Sequence, residues 1–453
     1  MRRYAIVAVT LVVILSGRQA LRAAALSYTV KNLGSYNGVA PTITGLNDSG
    51  EVSAFVDTSA GRRAVHYTAA SGWQALPGLA TTYSAATGIN ANGDMVGYFL
   101  TASGFRGFRL LHGDSGPTTL GVFPGGTYSI GAAISANGDV VGYGDLSNAT
   151  TRGWRVAATT TTMTMLPLLP GGSSATTCGV NNAGWIVGQS DNASAVQHAY
   201  RISPNGSTED LGSLDGPLGS STACAIDLNG RVGGNSSSNG NTHAIRYDLG
   251  PMVDIDDFGS TSSNVAAVAN GVSVGSYTTP TFENRAFGQS GTDPSVDLNA
   301  HLSASNGWVL WDALAVNTQG QIAGDGFVNG VWGVFLLTPG AIDTAPPTIV
   351  RVTATRSAIW PPDNKMVPVS VTVAATDDVD AVPACSLTSI SGGSPDDSAI
   401  TGAFSANLRA KNGNVYMLTV TCRDRAGKGS SASVSVAVTK VNRGGNMPKA
   451  LNK

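Results

Sequence analysis

The chain lacks most of what would announce a chemistry. Only 12% of its 453 residues are charged, and Lys plus Arg (27) do not outnumber Asp plus Glu (29). No basic stripe is present of the kind that phosphate binding demands, which excludes nucleic acid as a partner. Apart from the N-terminal stretch, no run approaches the roughly 18 uncharged apolar residues of a spanning helix. The five histidines, His66, His112, His198, His243 and His301, form no His-x-x-x-His doublet, so no metal-ligand pair is offered and they read as structural. No cofactor motif occurs. Gly113-Asp114-Ser115-Gly116-Pro117 resembles the nucleophile loop of trypsin-like serine proteases, but no second motif accompanies it and a triad needs a base held beside the serine. It reads as a turn.

The N-terminus reads as a secretory signal, residues 1–25. Arg2 and Arg3 are basic, Ala5 to Leu15 is apolar but short, and Ala23-Ala24-Ala25 offers a small-residue cleavage site. Cleavage there takes away four arginines and no acids, leaving 23 basic against 29 acidic residues, a net charge near −6. The expectation is a secreted, extracellular or cell-surface protein, with the periplasm as a further compartment and no integral membrane segment after processing.

What is abundant is Gly, Ser, Thr, Ala and Asn, and it is periodic. Turn glycines recur at Gly50, Gly93, Gly138, Gly184, Gly230, Gly271 and Gly320, 41 to 49 residues apart. Leu33, Leu76, Leu120, Leu166, Leu211, Ile255 and Leu298 run in step at 43 to 46. Asn-Gly at 92–93, 137–138, 229–230 and 270–271 is a strong hairpin signal because both residues tolerate positive φ. In the second copy Ser84–Ile89, Asp94–Phe99, Phe105–Leu111 and Pro117–Val122 read as four strands. A 40–50-residue period built only of strands and turns signals a β-propeller. The leucine series starts before the first turn glycine, and the last copy stops at Phe335–Pro339 one strand short. The strand at Tyr28–Gly34 is therefore expected to complete the final blade and close the ring. The reading is an all-β protein: a seven-bladed β-propeller over 27–339, followed by an Ig-like β-sandwich.

Gly179-Val180-Asn181-Asn182-Ala183-Gly184-Trp185-Ile186-Val187-Gly188, His198-Ala199-Tyr200-Arg201, Glu209-Asp210-Leu211-Gly212 and His243-Ala244-Ile245-Arg246-Tyr247 resemble the HAF-type extracellular repeats of bacteria. The resemblance covers about 28–339 and implies an exported repeat protein of unassigned biochemical role. Two copies keep the histidine and none keeps His-Ala-Phe.

Residues 340–347, with Ala345-Pro346-Pro347, read as a stiff linker. Over 348–440 the alternation of Val367, Val369, Val371 and Val373, of Tyr416, Leu418, Val420 and Cys422, and of Val434, Val436 and Val438 argues a β-sandwich. Trp360-Pro361-Pro362-Asp363-Asn364-Lys365 and Thr421-Cys422-Arg423-Asp424 resemble bacterial Ig-like and hyaline-repeat-like modules, which implies a spacer or adhesive unit. The tail 441–453 reads as disordered. Cys385 and Cys422 fall in two strands of this module, and in an exported protein a disulfide is expected. Cys178 and Cys224 occupy equivalent places in adjacent copies; a bridge and two separate buried thiols both fit. Asp377, Asp378 and Asp380 offer clustered oxygen ligands as a Ca²⁺ candidate.

Ten residues before the turn glycines lie Tyr83, Tyr128, Ser174 and Ser220, which enter the inner strands and should surround one mouth of the central channel. Tyr83 and Tyr128 are expected as neighbours, an aromatic face bounded by hydroxyls that suits sugar stacking. Trp73, Trp154, Trp185, Trp308 and Trp332 read as filler between blades. With no assembled catalytic group, the expected function is non-enzymatic binding or adhesion toward an extracellular glycan or protein. A polysaccharide lyase or glycosidase on the same scaffold is the main alternative, and a purely structural envelope or matrix component the third. Nothing in the sequence fixes the oligomeric state.

Overall fold

The computed structural model describes residues 27–340, 345–377, 382–424 and 427–440. The signal segment 1–25, residues 341–344 of the expected linker, Asp378, Asp380 and the tail 441–453 lie outside the described residues.

The described residues are almost entirely strand and turn, in four-stranded groups that follow the sequence period. The first sheet is Thr42–Leu46, Val52–Thr58, Gly61–Thr68 and Gly72–Ala75. The second is Ser84–Ile89, Met95–Thr101, Gly104–Leu110 and Thr118–Thr119, so its fourth strand is shorter than the sequence suggests. The third and fourth sheets begin at Ser129–Ile134 and Ala175–Val180. The next two groups begin at Ser221–Ile226 and Ser262–Ala269, and one parallel pair, Thr242 with Ser262, joins them into an eight-stranded sheet. The last group is Trp308–Val316, Ile322–Val328 and Val331–Pro339, and its fourth strand is Tyr28–Asn32 from the start of the chain.

Both sequence markers have a packing cause. The turn glycines hold positive φ, 84° at Gly93, a conformation other residues reach at a cost. Four residues on, the first strand passes so close that a Cβ built on Gly97 would collide with the carbonyl oxygen of Ala85. The leucine series is buried at every position. Leu76 packs with Phe108, Leu120 with Trp154, Leu166 with Tyr200 and Leu211 with Tyr247, each pair joining one sheet to an aromatic of the next.

A chain of side-chain hydrogen bonds runs from turn to turn. Asn47 Nδ2 donates to the carbonyl of Asn90 (3.3 Å), Asn90 to Ser135 (3.0 Å), Asn181 to Asp227 (2.9 Å) and Asn317 back to Asn47 (3.0 Å). The last of these spans 270 residues and joins the final repeat to the first. Ser135, too short to reach onward, is bypassed by Ala136 N donating to Asn182 Oδ1 (2.7 Å). Asn181 also accepts from the backbone amides of Ala183 and Trp185 and is 4% exposed. Asn181→Ala strands these buried groups, and urea unfolding should show a loss of about 1–3 kcal/mol.

The chain divides into two compact units, the first built on Asn32–Asn299 and Gly307–Leu336. The C-terminal unit holds two four-stranded sheets. One is ordered Thr348–Ala354, Met366–Thr376, Ser405–Arg409, Ser398–Gly402; the other Ala358–Ile359, Gly429–Val438, Val415–Arg423, Ala384–Ser391. Val369, Val371, Leu408, Tyr416, Leu418, Val420 and Val436 form its core, the inward half of the alternation seen in sequence. Cys385 and Cys422 face each other on paired strands and are bonded.

Candidate functional site

In each repeat the first two strands pair antiparallel, and the first carries a one-residue bulge. The extra residue is Thr44, Thr87, Ala132, Cys178, Cys224, Ala266 or Leu314. All seven bulges converge on one cavity of about 230 Å³, lined by the seven first strands in turn. Cys178 and Cys224, both in its lining, are joined, so the question the sequence left open resolves as a bridge between adjacent first strands with Cα atoms 5.0 Å apart. Two bonded pairs fit an oxidising compartment. Among the described residues no helix is long and apolar enough to cross a membrane.

Two residues upstream of each bulge, one pleat along the strands that line this cavity, lies a set of seven equivalent cross-strand pairs, called the rim below. There the cross-strand pairs are Thr42–Phe55, Ala85–Tyr98, Ile130–Tyr143, Thr176–Gln189, Thr222–Asn235, Asn264–Ser276 and Asp312–Asp325. The second member always lies five residues after the turn glycine. Three consecutive repeats present aromatic rings, the next three amides and hydroxyls, the last two carboxyls.

The aromatic side is continuous. The Arg62 guanidinium lies 4.0 Å above the Phe55 ring, forks onto Asp57 (2.9 Å twice) and donates to the Tyr98 hydroxyl at 3.2 Å. This hydrogen bond from Arg62 holds the Asp57 carboxyl below its usual range. Tyr98 meets Phe105 edge-on at 5.5 Å, and Phe105 meets Tyr83 at 5.7 Å. Burial pushes the Tyr143 hydroxyl up, and the nearby Tyr128 and Tyr98 hydroxyls push it further. On the amide side, Thr222 Oγ1 donates to Asn235 Oδ1 (3.1 Å) and Asn235 Nδ2 donates to Asn264 Oδ1 (3.0 Å).

The last repeat combines both characters. Trp311, itself a bulge residue beside Asp312, meets Phe327 at 5.3 Å and Trp332 at 6.1 Å, and Phe327 meets Trp332 at 5.0 Å, all at steep angles. Phe327 is two residues from Asp325, on the same face of one strand. Asp312 and Asp325 stand directly opposite each other on the paired strands. No protein donor reaches the buried Asp325 Oδ1, so ionising both acids there is costly. Burial, with the Asp312 charge beside it, pushes Asp325 up to about 7.

The four residues expected at the mouth make local contacts. Tyr83 packs on Phe105; the Tyr128 hydroxyl lies 3.4 Å from Thr151 Oγ1, and Ser174 Oγ donates to the Thr151 carbonyl (3.2 Å). Thr151 thus gathers Tyr128 and Ser174. Among the described residues no ring contact joins Tyr83 to Tyr128. Ser220 is exposed, and its carbonyl accepts from Ser237 N and Ser236 Oγ. Phe55, Tyr98, Tyr143, Asp312 and Asp325 were not singled out from sequence. Trp73, Trp154 and Trp308 are buried filler as expected; Trp332 is 41% exposed and Trp185 half-buried under Arg201, so both depart from that reading.

Two of the histidines sit in close carboxylate pairs, His198 with Asp210 at 2.8 Å and His243 with Asp254 at 2.7 Å. Gly113–Pro117 is a turn or bend between the third and fourth strands of its sheet. Among the described residues no group of three or more His, Cys, Asp or Glu is placed to hold a metal; of the calcium candidates only Asp377 is described.

No family model matches the chain, and no curated protein does. Among solved structures, the β-propeller domain of the Trilobed protease from Pyrococcus furiosus is similar at a TM-score of 0.46 and 8% identity, over 71% of this chain and 100% of that one. An oligogalacturonate lyase from Vibrio parahaemolyticus gives 0.43 and 10%, over 68% and 93%. A prolyl endopeptidase gives 0.44 and 12%, over 69% of this chain and 47% of that one, so the chain spans about half the length of that protein. Similarity of this depth assigns no family.

Proposed function

We propose that the chain is an exported seven-bladed β-propeller of HAF-type repeats followed by an Ig-like β-sandwich, and that it binds glycan at the rim of the propeller cavity without turning it over. The observation that carries this is the make-up of the rim. Rings of Phe55, Tyr98, Tyr143 and Trp332 offer flat apolar faces, and Gln189, Asn235 and Asn264 offer paired donors and acceptors, the two things a sugar needs. Glycosidases hold two carboxyls about 5–9 Å apart with room for water or substrate between them. Asp312 and Asp325 are instead direct cross-strand neighbours, a position whose Cβ atoms lie about 4.5–5.5 Å apart.

A glycan array with the full chain should score sugars and not peptides. Trp332→Ala, which removes an exposed ring, should weaken the best ligand about two- to tenfold, since one stacked aromatic contributes about 0.5–1.5 kcal/mol. An empty array, undiminished binding by Trp332→Ala, or steady release of reducing ends from the bound sugar would each overturn the reading.

A further inference from the structure

Of the seven cross-strand pairs on the rim, six are uncharged, and the seventh sets two carboxyl-bearing residues directly opposite each other. Asp325 is 7% exposed, and its Oδ1 receives no hydrogen bond from the protein. Among the described residues no ion pair joins either acid to a Lys, Arg or His; the rim arginine next along, Arg62, is already forked onto Asp57. A buried acceptor pair without a donor is costly, and two remedies exist: a proton shared between the acids, or a cationic donor brought by a ligand. An ammonium suits the second, with a full charge and three donors. A neutral hydroxyl brings one donor and leaves the charge unpaired, and an anionic sugar is repelled.

The surroundings point to the rest of the ligand. Trp311 neighbours Asp312 and Phe327 lies two residues from Asp325, and both rings meet Trp332, which is open to solvent. Aromatic faces attract cations and also stack on the C–H face of a pyranose. Three rings in mutual contact leave no enclosed cage for a free ammonium ion, so the group they suit is an amine carried on a flat ring.

We propose, resting on the glycan-binding reading above, that Asp312, Asp325 and Trp332 form a subsite for an amine-bearing sugar, the acids receiving a protonated amino group and the tryptophan its ring face. The probes are a β-1,4-linked glucosamine oligomer, its fully N-acetylated counterpart, the corresponding glucose oligomer and an oligolysine of matched charge, each titrated calorimetrically against the full chain near neutral pH. The glucosamine oligomer should bind about tenfold or more tighter than the acetylated and glucose oligomers, the scale of one charge-assisted hydrogen bond. Asp312→Asn and Asp325→Asn, close isosteres whose folding a thermal melt verifies, should erase that preference, weakening the glucosamine oligomer about tenfold more than the acetylated one. Trp332→Ala should weaken all three sugars. Acetylated or glucose oligomers binding as well as glucosamine would sink the amine subsite and leave the glycan reading standing. Oligolysine binding as tightly would make this a peptide site, and no binding by any sugar would remove both proposals.

Discussion

Deleting Tyr28–Gly34 should destabilise the protein more than any single substitution in it, because those residues supply the fourth strand of the last sheet. Leu33 is 5% exposed in a core shared with Trp73, Val334 and Leu336. Its amide donates to the Val334 carbonyl at 2.9 Å, and its own carbonyl accepts from Trp73 Nε1 at 3.0 Å. The N-terminal segment therefore closes the last sheet and also plugs the gap to the first. Without it, Val331–Pro339 becomes an unpaired edge, a template for aggregation, and Trp73 loses a buried hydrogen-bond partner. Leu33→Ala alone should cost about 2–5 kcal/mol, as large-to-small changes in cores do; the deletion adds the lost strand pairing. Thermal unfolding followed by circular dichroism is the measurement, with removal of 441–453 as the comparison. Equal melting temperatures for the two truncations would mean that the first strand does not close the ring.

The architecture was legible because backbone geometry restricts it. A turn that requires φ near 84° admits Gly93 and little else, and a first strand in close approach admits only a small residue at Gly97, so both recur in sequence. The leucine markers recur because each fills the same gap between sheets. The phase between the two series was enough to place the closing strand.

The rim was not legible, for the opposite reason. Nothing in the backbone constrains the residue five after the turn glycine, and it varies through Phe55, Tyr98, Tyr143, Gln189, Asn235, Ser276 and Asp325. The signal available was alternation: one residue beyond the small-residue marker must point to the other face. Reading ten residues before the turn instead found Tyr83 and Tyr128, which flank the rings that form the rim. The pairing of Asp312 with Asp325 depends on bulges that shift the register, at Trp311 and Leu314, and no sequence pattern announces a bulge. Trp332 looked like filler because its neighbours in the repeat are; it lies at the start of a third strand beside an open hairpin.

Asp325→Asn should stabilise the protein at alkaline pH and leave it unchanged in acid. The Asp325 carboxyl rises from 3.8 to about 7 on folding, chiefly through burial and secondarily through the charge and hydrogen bond of Asp312. Between those two values the native state keeps a proton that the unfolded chain has given up. Stability therefore falls as pH climbs through the window, by about 1.4 kcal/mol per unit, and levels off above it. The total reaches about 4 kcal/mol at most, since the pair can relax or admit water once both acids are ionised. An asparagine carries no charge at any pH, and its amide donates to the Asp312 carboxylate that Asp325 can serve only when protonated. The variant should thus match the wild type near pH 4 and melt several degrees above it at pH 8. Because Asp312→Asn removes the same repulsion from the other side, the double variant should gain no more than either single one. A wild-type melting temperature that rises between pH 5 and 8, with Asp325→Asn below it throughout, would show instead that the two acids are held apart and ionised.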